Sequence, residues 1–228
     1  MTFGLVHGAW HGAWCWERLI PELAARGHRA VAVDLPCEDP DAGLTRYAAL
    51  TADALGSADE VVLVGHSLCA AAIPLVARLR PVAHLVFVCA LLPEPGKSAT
   101  DRYATEDVFV EGFRGQTATR EDGASYWADH EAAIRCFFHD CDATDAARAA
   151  ARLRPQSAAA RLEAWPDDPL PDVERTSIVC RDERCIRPAW SRIVSRELLG
   201  VEPIELDGGH SPFLSRPAVL AETLAHLA

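Results

Sequence analysis

The chain has almost no lysine, too little positive charge to balance its acids, and no apolar run long enough to cross a bilayer. Lys97 is the only lysine, so arginine supplies every other one of the 22 basic side chains. That bias reads as the coding habit of a GC-rich genome and carries no functional weight. The 22 bases face 33 acids, for a formal net charge of −11. Such a balance argues against nucleic acid and against anionic membrane surfaces as partners. It also weighs mildly against strongly anionic substrates, unless a local pocket overrides it. A basic start followed by an apolar leader is lacking, because strand-like sequence begins at Phe3. Neither a signal peptide nor a transmembrane span is therefore expected. Cysteine is not scarce: there are eight. With no leader they are expected to sit reduced in a cytoplasm. Cys136-x4-Cys141 and Cys180-x4-Cys185 do not match standard zinc spacings, although His139 lies inside the first pair. They read as small buried apolar residues, so no metal and no cofactor is expected.

What is present is a chain of 228 residues, half of them apolar, which is enough for one domain with a sizeable core. Six short apolar runs read as buried strands: Phe3–Val6, Ala30–Asp34, Val61–Val64, His84–Val88, Thr176–Cys180 and Glu202–Leu206. Helical patterns separate most of them, at Trp14–Arg26, Tyr47–Gly56, Cys69–Arg80, Ala189–Leu199 and Pro217–Leu227. This alternation predicts a doubly wound α/β fold, a mostly parallel sheet of about six strands with helices on both faces. From about residue 90 to about residue 172 the alternation stops. Helical patterns at Ser125–His139 and Ala143–Leu153 fill that region, which reads as a helical cap inserted into a single domain spanning residues 1–228.

The chemistry concentrates where predicted strands end. VVLVGHSLCA (Val61–Ala70) carries a β-branched strand into Gly-His-Ser and then an Ala-rich segment. Ser67 would sit at a sharp strand-to-helix turn that lifts its Oγ clear of the sheet edge. The first half of the G-x-S-x-G elbow is intact, with Gly65 and Ser67 in place, but Cys69 replaces the last glycine. G-x-S alone is a weak signal. It gains weight from LVHGAWHGAWCW (Leu5–Trp16) before it and from IELDGGHSPFLSRP (Ile204–Pro217) after it. Between Ser67 and His210, the strand at Thr176–Cys180 ends in Asp182 and Glu183. The order serine, acid, histidine is the α/β-hydrolase order. Ligand sites in such sheets gather at the carboxyl ends of the strands, where all these residues lie.

These stretches, with RGHRAVAVDLP and FFHDCDATDAARAAARLRPQ, resemble the α/β-hydrolase superfamily over most of the chain. More closely, they resemble the small group of plant methyl esterases and hydroxynitrile lyases with their bacterial relatives. The resemblance implies an α/β-hydrolase fold and a Ser-acid-His triad of Ser67 and His210. Many relatives place an Asp three residues before an apolar residue in the acid loop. Ile186 then points to Glu183, with Asp182 as the alternative. The oxyanion hole would be the amides of Ala9 and Leu68. The pocket under the cap would be lined by Trp127, Phe137, Phe138 and Trp165, with His11 near its mouth. Cys69 would reshape the elbow slightly. The lyase branch uses a threonine in the oxyanion loop and a lysine after the catalytic histidine; here those positions hold Gly8 and Ser211. The expectation is a cofactor-independent serine hydrolase of the carboxylic ester class, acting on a small to medium ester or thioester through a Ser67 acyl-enzyme. The alternatives are a biosynthetic tailoring enzyme (cyclase, lyase or C–C hydrolase) and, less favoured, a non-catalytic ligand-binding protein. The expected partners are a small ester-like molecule and at most a second copy of the chain.

Overall fold

The computed structural model describes residues 1–227. The chain opens on β1 (Thr2–Val6), turns through a short 3-10 helix (Ala13–Trp16) into α1 (Leu19–Ala25), and returns as β2 (Arg29–Val33). Next come α2 (Leu44–Leu55), β3 (Val61–His66), a second 3-10 helix (Ser67–Ala72), α3 (Ile73–Leu79) and β4 (His84–Val88). A long excursion then holds α4 (Ala99–Thr105), the small antiparallel ribbon β5 (Ala118–Thr119) and β6 (Ser125–Tyr126), α5 (His130–Phe137), α6 (Ala143–Ala150) and α7 (Ala159–Leu162). The main sheet resumes with β7 (Glu174–Cys180), α8 (Pro188–Glu197), β8 (Ile204–Leu206), α9 (Pro212–Ser215) and α10 (Pro217–Ala225).

The six-stranded sheet runs in the order β2-β1-β3-β4-β7-β8, and every pairing in it is parallel. Parallel strands need helices on their faces, and α1 packs on α10 while α2 packs on α3. That covering explains why β1, β3 and β4 read as unbroken apolar runs: all of their residues are buried. β2, at the sheet edge, keeps exposed and half-buried positions.

Two expected helices are split, and proline explains both. Pro21 has no N–H and would clash with a carbonyl four residues back, so it fits only the first turn of α1. The segment before it closes as a separate 3-10 turn. Pro74 does the same near the start of α3, leaving the residues after Ser67 in 3-10 form. The helix expected over Ser125–His139 is also shorter. Ser125 and Tyr126 join β6, paired to Thr119 and Ala118. The helix begins only after Asp129, whose Oδ1 accepts the N–H groups of Glu131 (2.9 Å) and Ala132 (3.1 Å).

Strand order sets the place of the site. β1 lies between β2 and β3, so the chain reverses its direction of winding beside β1, and crevices form at such switch points. Val6 pairs with Gly65, so the loop after β1 and the turn after β3 leave the sheet side by side.

Candidate active site

Ser67 occupies the turn between β3 and the 3-10 helix, with φ of 52°. A non-glycine residue in this left-handed region stores strain of about 1–3 kcal/mol, which persists only where the surroundings impose it. Here they do. A Cβ on Gly65 would meet the Ala70 Cα at 2.7 Å, so only glycine lets the chain double back this tightly. Cys69 is fully buried. Its hydrogen bond with Cys37 and its burial hold the thiol well above the usual cysteine range, so it stays neutral and unreactive.

The loop after β1 presses against this turn. A Cβ on Gly8 would fall 2.6 Å from His66 Nδ1 and 2.9 Å from Ser67 Cβ. Glycine therefore brings the following amide, that of Ala9, to the cavity that Ser67 and Leu68 also line. Three neutral histidines brace the arrangement. His7 Nδ1–H donates to the Gly8 carbonyl (2.9 Å) and its Nε2 accepts the Leu35 N–H (3.0 Å), which fixes the tautomer. Burial lowers its pKa to about 4. His11 donates to the Ala9 carbonyl at 2.8 Å, and burial lowers its pKa to about 3. His66 donates from Nε2 to the His210 carbonyl at 2.9 Å, tying the histidine loop to the serine turn. Burial likewise keeps His66 uncharged.

His210 arrives on the loop after β8. Its Nδ1–H donates to Glu183 Oε2 at 2.7 Å, with both side chains almost fully buried. The other oxygen of Glu183 accepts the Cys185 N–H at 2.7 Å. Of the two acids left open by the sequence, Glu183 is therefore the one on the imidazole. Asp182 has a different task. Its Oδ2 accepts the Gly208 N–H at 3.1 Å, and Asp140 holds the Gly209 N–H at 2.9 Å. The Gly-Gly turn is thus clamped on both residues. Side chains are excluded there, since a Cβ on Gly209 would meet His139 Nε2 at 2.6 Å.

Ser67 and His210 open onto one cavity of about 420 Å³. Trp127 and Phe137 stand on its wall, but three other expected lining residues do not. His11 is turned into an aromatic cluster, stacked on Trp14 at 5.6 Å and edge-on to Phe137 at 5.5 Å. Phe138 is fully buried behind Phe137. Trp165 is turned to the 3-10 helix after Ser67, its indole N–H donating to the Ala71 carbonyl at 2.9 Å. The wall instead includes Tyr103, Phe109, Phe113, Arg114, Gln156 and Arg161 from the excursion, together with Trp10. Trp10 was visible in the HGAWHGAW motif. Its φ of 63° and its indole bond to Ser125 Oγ (3.1 Å) show how it is turned toward the cavity. Tyr103 and Arg161 sit on the short helices α4 and α7, and the others lie in loops, with no periodicity long enough to mark any of them.

One trio of potential metal donors comes together among the described residues: Cys89, Glu183 and His210, all buried, with donor atoms within 4.8 Å of one another. Two of the three are already joined by the short acid–imidazole hydrogen bond, which a metal would have to break.

The profile of the alpha/beta hydrolase family matches residues 5–223. The chain belongs to that family. Among curated proteins it is 26% identical to salicylic acid-binding protein 2 of Nicotiana tabacum, over 99% of this chain and 96% of that protein. It is 27% identical to methylesterase 7 of Arabidopsis thaliana, over 99% and 95% of the two chains. Norfluorocurarine synthase 2 of a Strychnos species is also 27% identical, over 99% and 94%. Among solved structures, a pyrethroid hydrolase from Sphingobium faniae superposes with a TM-score of 0.81 at 25% identity, covering 99% of this chain and 96% of that one. An extracellular alpha/beta-hydrolase from a Paenibacillus species shares the fold, with a TM-score of 0.78 at 19% identity over 100% and 99% of the two chains.

Proposed function

We propose that Ser67, His210 and Glu183 form the catalytic triad of this ester hydrolase and that Ala9 and Leu68 supply its oxyanion hole. The carrying observation is the 2.7 Å bond from His210 Nδ1 to Glu183, on the cavity that Ser67 lines. That bond leaves Nε2 of His210 as the free base. A serine hydroxyl is a weak nucleophile until a neighbouring base takes its proton. His210 Nε2 accepts the Ser67 proton as Oγ attacks the ester carbonyl. Glu183 then balances the imidazolium charge. The oxyanion points at the Ala9 and Leu68 amides, and losing one such donor typically costs about 10²–10³ in rate. The tetrahedral intermediate expels the alcohol, which takes the proton from His210. Water, deprotonated by His210, then cleaves the acyl-enzyme.

The substrate is a small to medium carboxylic ester. The volume near 420 Å³ and the aromatic wall support that size and character. Methylesterase and hydrolase relatives support the ester class. Residues 90–172 act as the cap of one domain, since most of the wall opposite Ser67 comes from them. The position after the histidine, a lysine in the lyase branch, is the fully buried Ser211 here, which favours ester hydrolysis over lyase chemistry. Among the described residues no helix is long and apolar enough to cross a membrane. The eight cysteines are all free thiols, which supports a reducing cytoplasm. Every group invoked comes from one chain, so a homodimer is not needed for the chemistry. Turnover of short-chain 4-nitrophenyl esters tests the reading. Hydrolysis with an initial burst, abolished in Ser67→Ala and in His210→Ala, is expected. Turnover that survives Ser67→Ala would overturn it.

A further inference from the structure

The cavity beside Ser67 has two arginines on its wall, Arg114 and Arg161, and not one aspartate or glutamate. This is unusual for a chain with 33 acids. Elsewhere, fourteen basic side chains pair with carboxylates, yet neither of these two does among the described residues. Both are nonetheless held in place by neutral partners. Arg161 Nη1 donates to Thr100 Oγ1 at 3.2 Å, leaving its other donors free of protein partners. The Arg114 guanidinium lies 5.2 Å from the Phe109 ring centroid and donates from Nη2 to the Tyr103 carbonyl. Tyr103 lines the same cavity, and both charges act on it. Burial raises the pKa of its hydroxyl, while the charges of Arg161 and Arg114 pull it back. The adjoining wall is aromatic, with Phe109, Phe113 and Trp127.

We propose that this pocket selects aromatic esters bearing a second, free carboxylate, with Arg114 and Arg161 as its anion-binding pair. The proposal rests on the ester-hydrolase reading above and names its substrate class. A guanidinium presents a planar fork of donors that suits a carboxylate, and such charge-assisted bonds are strong. Arg161 is half-buried, so its bond to an anion is screened less than in open water, while Arg114 adds its charge from the exposed side of the same wall. The local field would thereby override the overall negative charge, which by itself repels anions.

The test pairs two methyl esters of the same shape: monomethyl isophthalate, which is an anion, and neutral methyl 3-acetylbenzoate. The wild-type kcat/KM is expected to favour the anion by at least about tenfold, the order of one hydrogen bond to a charged group. That preference should weaken with added salt. It should shrink toward one in Arg114→Gln/Arg161→Gln and persist largely in Arg161→Lys, which keeps the charge near Thr100. An equal or reversed preference in the wild type, or a preference that survives the double glutamine variant, would overturn the proposal. If neither ester is cleaved, the ester-hydrolase reading has failed for this substrate class, and binding decides the proposal separately. Quenching of tryptophan fluorescence by isophthalate should be tighter than by 1,3-diacetylbenzene, and the difference should vanish in the double variant. Equal binding of the two would sink it.

Discussion

Replacing Glu183 by glutamine removes one charge and almost no volume, and the structure says why it should still cripple the site. Both carboxylate oxygens are engaged as acceptors: Oε2 takes the His210 Nδ1–H and Oε1 takes the Cys185 N–H, each at 2.7 Å. Glutamine has one oxygen and one NH2. If the oxygen faces Cys185, the NH2 faces Nδ1 and stabilises the wrong tautomer, which removes the base from the Ser67 side. If the oxygen faces Nδ1, the NH2 confronts the Cys185 N–H, and a buried donor goes unsatisfied at a cost of about 1–3 kcal/mol. Either way the charge opposing the imidazolium is lost. The equivalent change in other serine triads lowers kcat by about 10⁴, so Glu183→Gln should lower kcat by roughly 10³–10⁴, or about 4–5.5 kcal/mol of barrier. Asp182→Asn is the control. Its amide oxygen can still accept the Gly208 N–H, so kcat should stay within about tenfold of wild type. Steady-state hydrolysis of a 4-nitrophenyl ester reads both variants, with thermal unfolding to establish that each is folded. A folded Glu183→Gln enzyme within tenfold of wild type, with a collapse in Asp182→Asn, would refute the assignment of the acid.

Gly8→Ala should reduce kcat far more than it raises KM, because its Cβ would meet His66 and Ser67 and push the Ala9 amide out of place; a normal kcat in a folded variant would contradict that. Trp165→Phe strands the buried Ala71 carbonyl and should cost about 1–3 kcal/mol in urea unfolding with little change in kcat; a purely kinetic effect would place Trp165 in the pocket after all. Acid should destabilise the fold in a defined window. His7 and His11 have folded pKa values of about 4 and about 3, below the 6.5 of an unfolded histidine. The unfolded state therefore binds more protons below pH 6.5, and stability falls as pH falls toward 4. Each histidine contributes a slope of about 1.4 kcal/mol per pH unit in that range. Urea midpoints measured from pH 7 to pH 4.5 should show the fall, whereas a flat profile would mean that these histidines are not buried neutral.

The βα alternation was legible because strands covered on both faces must be apolar along their whole length, as in Val61–Val64 and His84–Val88. Ser67 and His210 were legible because each is framed by glycines that the backbone requires. Gly65 lets the chain pass Ala70, and Gly208 and Gly209 let it pass Asp140 and His139. The choice between Asp182 and Glu183 was not fixed by residue type, since adjacent acids differ only in where the loop aims them. One reaches the imidazole, and the other closes the glycine turn. The pocket wall was the least legible part. Aromatic side chains in the excursion serve packing as readily as lining, so Phe138 and Trp165 could not be told from Trp127 and Phe137 by type. Arg114 lies in a loop and Arg161 on the single turn of α7, too short to show a period, so a solvated arginine and one facing a cavity look alike there. The breaks at Pro21 and Pro74 were readable in principle, because proline tolerates only the first turn of a helix.

An activated serine at residue 67 is what the triad requires, and intact mass after exposure to a fluorophosphonate probe tests it without knowledge of the substrate. One adduct is expected on the folded protein, absent in Ser67→Ala and much slower to form in Glu183→Gln. An unlabelled wild-type protein, or an adduct that persists in Ser67→Ala, would contradict it.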